Sequence, residues 1–161
     1  NSEKRKHLRE YLANMVYQIK PKGTEIICVI ERIRLRSQGF INIDYIKSIG
    51  ALNSVIVDVM STFNIDTYSV DTRCWKAQVI GTSKPQNNKF GVPDEKWPTV
   101  KWCIDKGFKN SILIDMSGTR KKKGIFQKDG KKYMYNNDAS DSAAISMYYF
   151  VGDRNKLEAE R

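Results

Sequence analysis

The sequence predicts an α/β fold in which helices flank a mixed sheet. Three observations predict it: strand-like apolar runs alternate with helix-period segments, the strongest run is continuous, and an Asp-Gly turn joins two strand-like segments. A continuous apolar run marks a strand covered on both faces, as in a parallel sheet, whereas the Asp-Gly turn marks an antiparallel hairpin. Together they require strands of both directions.

Each element follows from its pattern. Residues 3–19 place Leu8, Tyr11, Leu12, Met15, Val16 and Ile19 on one helical stripe, and Pro21-Lys22-Gly23 stops the helix. Glu25 to Ile30 is rich in β-branched residues and reads as a fully buried parallel strand ending at Glu31. After a loop over 37–42, Tyr45 to Phe63 is a long helix carrying Ile46, Ile49, Leu52, Val55, Ile56, Val59 and Met60. That stripe is wide enough to serve a core and a partner at once. Asp66 to Val70 reads as a second strand, and Arg73 to Ile80 as a helix ended by Gly81. A polar loop over 84–94 precedes a helix from Trp97 to Lys106, stopped by Gly107. Ser111 to Ile114 is a short strand ending in Asp115, and 122–127 and 131–135 form a hairpin about Asp129-Gly130. The last helix runs from Asp138 to about Phe150, leaving a charged tail over 152–161. With no internal repeat or long linker, the expectation is one domain over 1–161, with a basic hairpin over 116–135.

Composition narrows the function classes. The 161 residues include 28 Lys plus Arg against 18 Asp plus Glu, a formal charge of +10. With 40% hydrophobic and 11% aromatic residues the chain is too rich in core formers to be disordered. No apolar run approaches the roughly 20 residues of a membrane-spanning helix, and the first residues do not read as a signal peptide. Cys28, Cys74 and Cys103 form no CxxC, which excludes a zinc ribbon or disulfide scaffold and suits a reducing, cytoplasmic setting. The single histidine, His7, disfavours histidine triads and zinc hydrolases. A polyanion is the expected partner. Positive residues crowd 4–6, 20–22, 32–36, 120–123 and 128–132, the last two clusters interleaved with Phe126, Tyr133 and Tyr135. Such a mixture suits phosphates and bases, although a solvated hairpin accounts equally well for any one cluster.

The acids are more specific. Glu31 and Asp115 end apolar strands, and ligands of open α/β sheets gather at the carboxyl ends of strands. Asp138 and Asp141, three apart, project from one face of a helix's first turn. Each has a plainer reading: Asp138 as an N-cap, Asp141 as a dipole-favoured first-turn acid, Glu31 as a solvated strand end. Gathered within about 4 Å, carboxylates repel by about 4 kcal/mol per pair at an effective dielectric of 20 and require a cation. Hard oxygens without His or Cys suit Mg²⁺ or Mn²⁺. Acids around two metals, flanked by basic side chains that hold phosphates, make the arrangement of a nuclease.

Val29-Ile-Glu31, the helix over 46–63, Tyr68-Ser-Val-Asp-Thr-Arg-Cys-Trp-Lys-Ala-Gln-Val-Ile-Gly81 and Asp138-Ala-Ser-Asp-Ser-Ala-Ala144 resemble, in order and spacing, the RuvC family of Holliday junction resolvases, closest to its phage and organellar branches. The similarity covers 3–106 and 136–150. It implies a ribonuclease H-like fold, a homodimer through the helix over 45–63, and nicking of four-way DNA junctions with two Mg²⁺ (or Mn²⁺) per site. By the same resemblance Glu31 is the second family acid and Asp138 and Asp141 the third and fourth, while Lys76 and Lys84 match residues contacting DNA near the cut. The implied location is intracellular, at the nucleoid or in the host cytoplasm of a phage.

The chain departs from that family at its start, which lacks the strand bearing the first acid. One reading relocates it: Ile112-Leu-Ile-Asp115-Met-Ser117 and the segment through Tyr135 resemble the family's opening, which brings the sheet to about five strands and makes Asp115 the first acid. The other is a basic insertion plus a missing segment, with Asp115 a turn starter. The aromatic that commonly follows the strand-end Glu is replaced by the basic stretch over 32–36, with Phe40 a displaced candidate wedge. The expected DNA contacts are Arg73, Lys76, Lys84, Arg120, Lys121, Lys122 and Lys123, while Trp75 is expected to pack rather than stack on a base. Other ribonuclease H-like nucleases, cutting RNA–DNA hybrids or acting in transposition, and a non-catalytic branched-DNA-binding relic remain the alternatives.

Overall fold

The computed structural model describes residues 2–19, 23, 25–32, 43–82, 84–88, 93–94, 96–108, 113–115, 126–128 and 130–160. In chain order these form α1 (Ser2–Ile19), β1 (Ile27–Glu31), α2 (Ile43–Thr62), β2 (Asp66–Val70) and α3 (Thr72–Trp75), which opens into one π-helical turn (Lys76–Ile80). There follow β3 (Gln86–Asn87), β4 (Pro93–Asp94), α4 (Trp97–Asp105), β5 (Leu113–Asp115), β6 (Phe126–Lys128), β7 (Lys131–Tyr135), α5 (Asn137–Val151), a 3₁₀ turn (Arg154–Lys156) and β8 (Glu158–Glu160). The protein is α/β, and its contacts divide it into two units: Asn1–Thr72 with Asp153–Arg161, and Arg73–Gly152.

The first unit holds the mixed sheet, of three strands in the order β1-β2-β8. β1 and β2 are parallel, with Ile27 opposite Asp66 and Glu31 opposite Val70. β8 runs antiparallel on the other side of β2, with Thr67 opposite Glu160 and Ser69 opposite Glu158. The segment expected to be a charged tail therefore supplies a strand. β1, expected to be fully buried, is half-buried over Ile27–Ile30 and exposed at Glu31, with only one of its edges paired among the described residues. The core forms where Leu12 and Val16 of α1 meet Val55, Val59 and Met60 of α2, with Ile65 beneath them. α2 ends as its sequence dictates: Asn64 adopts φ 53° and the Ile65 N–H returns to the Met60 carbonyl at 2.9 Å, capping the last turn.

In the second unit α4 packs on α5, burying Val100 and Cys103 among Trp97, Trp102, Ile104, Tyr135, Ala139 and Ala143. Gly107, at φ 90°, ends α4 while the Phe108 N–H reaches the Cys103 carbonyl at 2.8 Å. The hairpin pairs Lys128 with Lys131 around Gly130 at φ 73°, as the Asp-Gly signal requires. β5 pairs antiparallel with β7, Asp115 opposite Tyr133, giving the order β5-β7-β6. A single sheet of about five strands is thus not what the described residues form. The hairpin strands form a sheet of their own with β5, and its central strand is β7 rather than the next in sequence after β5.

Candidate active site

Glu31 is the last residue of β1 and lies at the carboxyl end of a parallel pair, where strand-end chemistry is expected. Its exposed carboxylate accepts a hydrogen bond from the Thr72 hydroxyl, which the turn after β2 brings beside it. The Arg32 N–H continues the ladder to the Val70 carbonyl at 2.8 Å. Its guanidinium donates to the Ser69 carbonyl at 3.4 Å and the Lys156 carbonyl at 3.5 Å, and pairs with Glu158 at 2.7 Å. Arg32, read in the sequence as one of a basic cluster, therefore fastens β8 to the end of β2. Asp71 follows β2 directly and is only 4% exposed. The rule that selected Glu31, an acid closing a strand, also identifies Asp71, but the sequence reading passed over it.

The second unit holds the aspartate pair. Asn136, not Asp138, caps α5: its side chain accepts from the Ala139 N–H at 3.0 Å. Asp138 is thereby left exposed in the first turn, with Asp141 one turn on. Asp141 is the better-enclosed acid, its side chain 16% exposed, and its Oδ2 lies 2.6 Å from the Lys96 ammonium. Its Oδ1 is buried without a hydrogen-bond partner. Lys96 is set just before α4 by a turn in which its own N–H donates to the Asp94 carboxylate at 2.8 Å. The sequence reading missed Lys96. The only available signal was its place immediately before a helix, in an Asp-x-Lys turn. The Asp141 charge and burial also push up the Cys103 thiol, burial being the larger cause, while a hydrogen bond to Ser140 opposes them.

Of the expected DNA contacts, Arg73 and Lys84 are exposed and Lys76 is half-buried, its ammonium 5.4 Å from the Trp75 ring centre. Trp75 itself is fully buried, as its packing role requires, and has no face to offer a base. Residues 120–123 and Phe40 lie outside the described residues. Asp115 is placed at the end of β5. Glu31 belongs to the first unit, and Asp115, Asp138 and Asp141 to the second. Among the described residues no group of three or more His, Cys, Asp or Glu side chains is gathered as a metal-binding cluster. No described helix is long and apolar enough to cross a membrane.

No protein-family model matches the chain, and neither a curated protein nor a solved structure does. What the fold and site define is an α/β protein with one acid ending a parallel strand and two opening a helix beside a lysine.

Proposed function

We propose that the chain is a divalent-metal-dependent, structure-selective endonuclease of ribonuclease H-like type, nicking branched DNA with the four-way junction as substrate. The observation that carries this reading is Asp141, a nearly enclosed carboxylate with one oxygen unpartnered, one turn from Asp138. An orphaned hard oxygen one helical turn from a second carboxylate fits Mg²⁺ or Mn²⁺. Asp138 and Asp141 would hold the metal, with Asp115 of the same unit as the proposed first acid and Glu31 the candidate acid of the first unit. When bound, it supplies positive charge against that building on the phosphodiester during in-line displacement. Lys96 balances Asp141 and offers a cation for a phosphate oxygen, while Arg73, Lys76, Lys84 and the cluster over 120–123 hold the DNA backbone. Symmetric nicking calls for a two-fold dimer. The apolar stripe of α2 supports one: Val59 is buried, but Leu52 and Tyr45, at seven-residue steps up the same line, are 43% and 63% exposed.

The test is Mg²⁺- or Mn²⁺-dependent nicking of a labelled four-way junction, with duplex and RNA–DNA hybrid as competitors. Glu31→Gln is expected to retain junction binding and lose at least about 10³-fold in cleavage. Undiminished nicking by this variant sinks the reading, and preference for the hybrid redirects it to another ribonuclease H-like activity. One observation favours a non-catalytic branched-DNA binder: no described cluster of three acids exists, and Lys96 already neutralises Asp141. That protein binds junctions in a salt-dependent way and yields no metal-dependent product.

A further inference from the structure

We infer that Trp102 and Phe108, at the end of α4, form a stacking platform for an unpaired base of the DNA. The inference deepens the proposed function, resting on its branched-DNA substrate and on no metal. The sequence builds the platform locally. Gly107, at φ 90°, reverses the chain after α4; its N–H reaches the Ile104 carbonyl at 3.0 Å and the Phe108 N–H reaches the Cys103 carbonyl at 2.8 Å. That pair of bonds folds the residue after the glycine back on the helix, where an apolar side chain touches one a turn earlier. Here Phe108 returns onto Trp102.

The capping turn asks only for an apolar contact, and what the chain supplies is more particular. The two rings lie nearly parallel, at 16° with centroids 6.4 Å apart. By contrast Tyr17–Phe63 and Tyr149–Phe150 meet edge to face at 89° and 81°, and Trp97–Tyr135 is tilted by 57°. Parallel rings align their faces, so a base can continue the stack; crossed rings do not. Trp102 is half-buried against the Val100 and Cys103 cluster and anchors the pair, while Phe108 remains 39% exposed. The backbone bonds hold Phe108 in place beforehand, so little conformational entropy is lost when a base lands on it. Charge suits the same partner. Lys101 is answered by Asp105 one turn on, but the exposed Lys106 ammonium has no ion pair among the described residues, and Lys109 follows Phe108 in the sequence. The ring is thus bracketed in the chain by cations suited to the phosphates of the strand whose base it takes. Bases inside a duplex are already stacked on both faces, so the platform selects unpaired ones, such as those at the centre of a branch.

The experiment measures equilibrium binding in EDTA, alongside thermal melting, to three labelled probes: a four-way junction with unpaired thymines at its centre, the fully paired junction and a linear duplex. Phe108→Leu keeps the apolar contact with Trp102 but removes the aromatic face. It is expected to bind the thymine-bearing junction about tenfold more weakly, with duplex binding within about twofold of wild type. Phe108→Tyr, which keeps the ring, is expected within about twofold of wild type on every probe. If Phe108→Leu binds the thymine-bearing junction as wild type does, or loses equally on all three probes, the platform is overturned. The branched-DNA reading then still stands wherever the wild-type chain prefers junctions to duplex. If the wild-type chain binds neither junction better than duplex, that reading falls and the platform with it. Should Phe108→Leu melt well below wild type, Phe108→Met, whose flexible chain refills the contact without a ring, replaces it in the same comparison.

Discussion

The two units are assembled differently. The first is built from both ends of the chain, with α1, β1, α2 and β2 completed by β8 more than eighty residues later, whereas the second is one continuous run over 73–152. Their candidate acids differ accordingly. Glu31 is exposed at a strand end and takes its place from long-range pairing, with Thr72 on its carboxylate and the next residue, Arg32, tied to β8. Asp141 is largely enclosed at the start of a helix whose cap, Asn136, is local, and it meets its lysine through packing of α4 on α5. An acid positioned by distant segments is vulnerable to changes far from it in sequence. One positioned by a helix start is vulnerable to changes in its own helix.

The largest expected effect tests the first half of that contrast. A chain ending at Asp153 loses β8, the partner of Thr67, Tyr68 and Ser69, together with the Glu158 and Lys156 groups that hold Arg32. Three antiparallel rungs carry about two to four ladder hydrogen bonds. At about 1 kcal/mol each the loss is about 2–4 kcal/mol, and the parallel pair that remains is too small a sheet to stand well alone. Denaturant unfolding is expected to show this drop, with nicking falling further than stability as Arg32 is freed. Unchanged stability would mean that β8 is dispensable and that the first unit is complete by Thr72.

The difference in assembly also explains what was legible in the sequence. The signals that act within a few residues were readable: the α1 and α2 stripes, the continuous run at β1, Gly107 as a stop, and Asp129-Gly130 as a hairpin. β8 was not, because Glu158-Ala-Glu160 has neither apolar alternation nor β-branched residues, and its pairing partner lies about ninety positions away. The half-burial of β1 was hidden for the same reason, since a run of apolar residues does not state how many neighbours its strand acquires. At the site, Glu31 and the Asp138/Asp141 pair stood out as acids closing a strand and opening a helix. Lys96 did not, because its meaning comes only from the contact with Asp141, 45 residues on. The capping role considered for Asp138 went to Asn136, a stronger candidate only once the helix start is known to within one residue.

The second half of the contrast is tested within α5. Gly152 follows the helix, and a Cβ placed on it would stand 2.6 Å from the Tyr148 ring. Tyr148 is fully buried, so the ring has little room to yield. Its backbone is not in the glycine-favoured region, at φ −92°, so the obstacle is space alone. Gly152→Ala is expected to cost about 1–3 kcal/mol, as overpacking does in other cores. Because Asp138 and Asp141 sit on the same helix, junction cleavage is expected to fall with it. A neutral result would show that the end of α5 adapts freely and that this helix does not fix its acids rigidly.

The smallest effect compares the units through their thiols. Burial pushes the Cys28 thiol up, partly offset by the Thr67 hydroxyl, and burial joined by the Asp141 charge pushes Cys103 up against the opposing Ser140 bond. In both cases the folded chain holds the proton more tightly than the unfolded chain, whose thiols titrate near about 8.5. The unfolded state therefore releases protons first as pH rises. The stability difference is fully present below about pH 8.5, is lost as pH climbs from there through the folded values, and falls by at most about 1.4 kcal/mol per pH unit for each thiol. Cys28→Ser and Cys103→Ser should each remove part of that alkaline slope in chemical denaturation. If Cys103→Ser alone flattens it, the enclosed site around Asp141 is the drier of the two. If Cys28→Ser does so, the half-buried sheet of the first unit excludes water better than its exposure suggests.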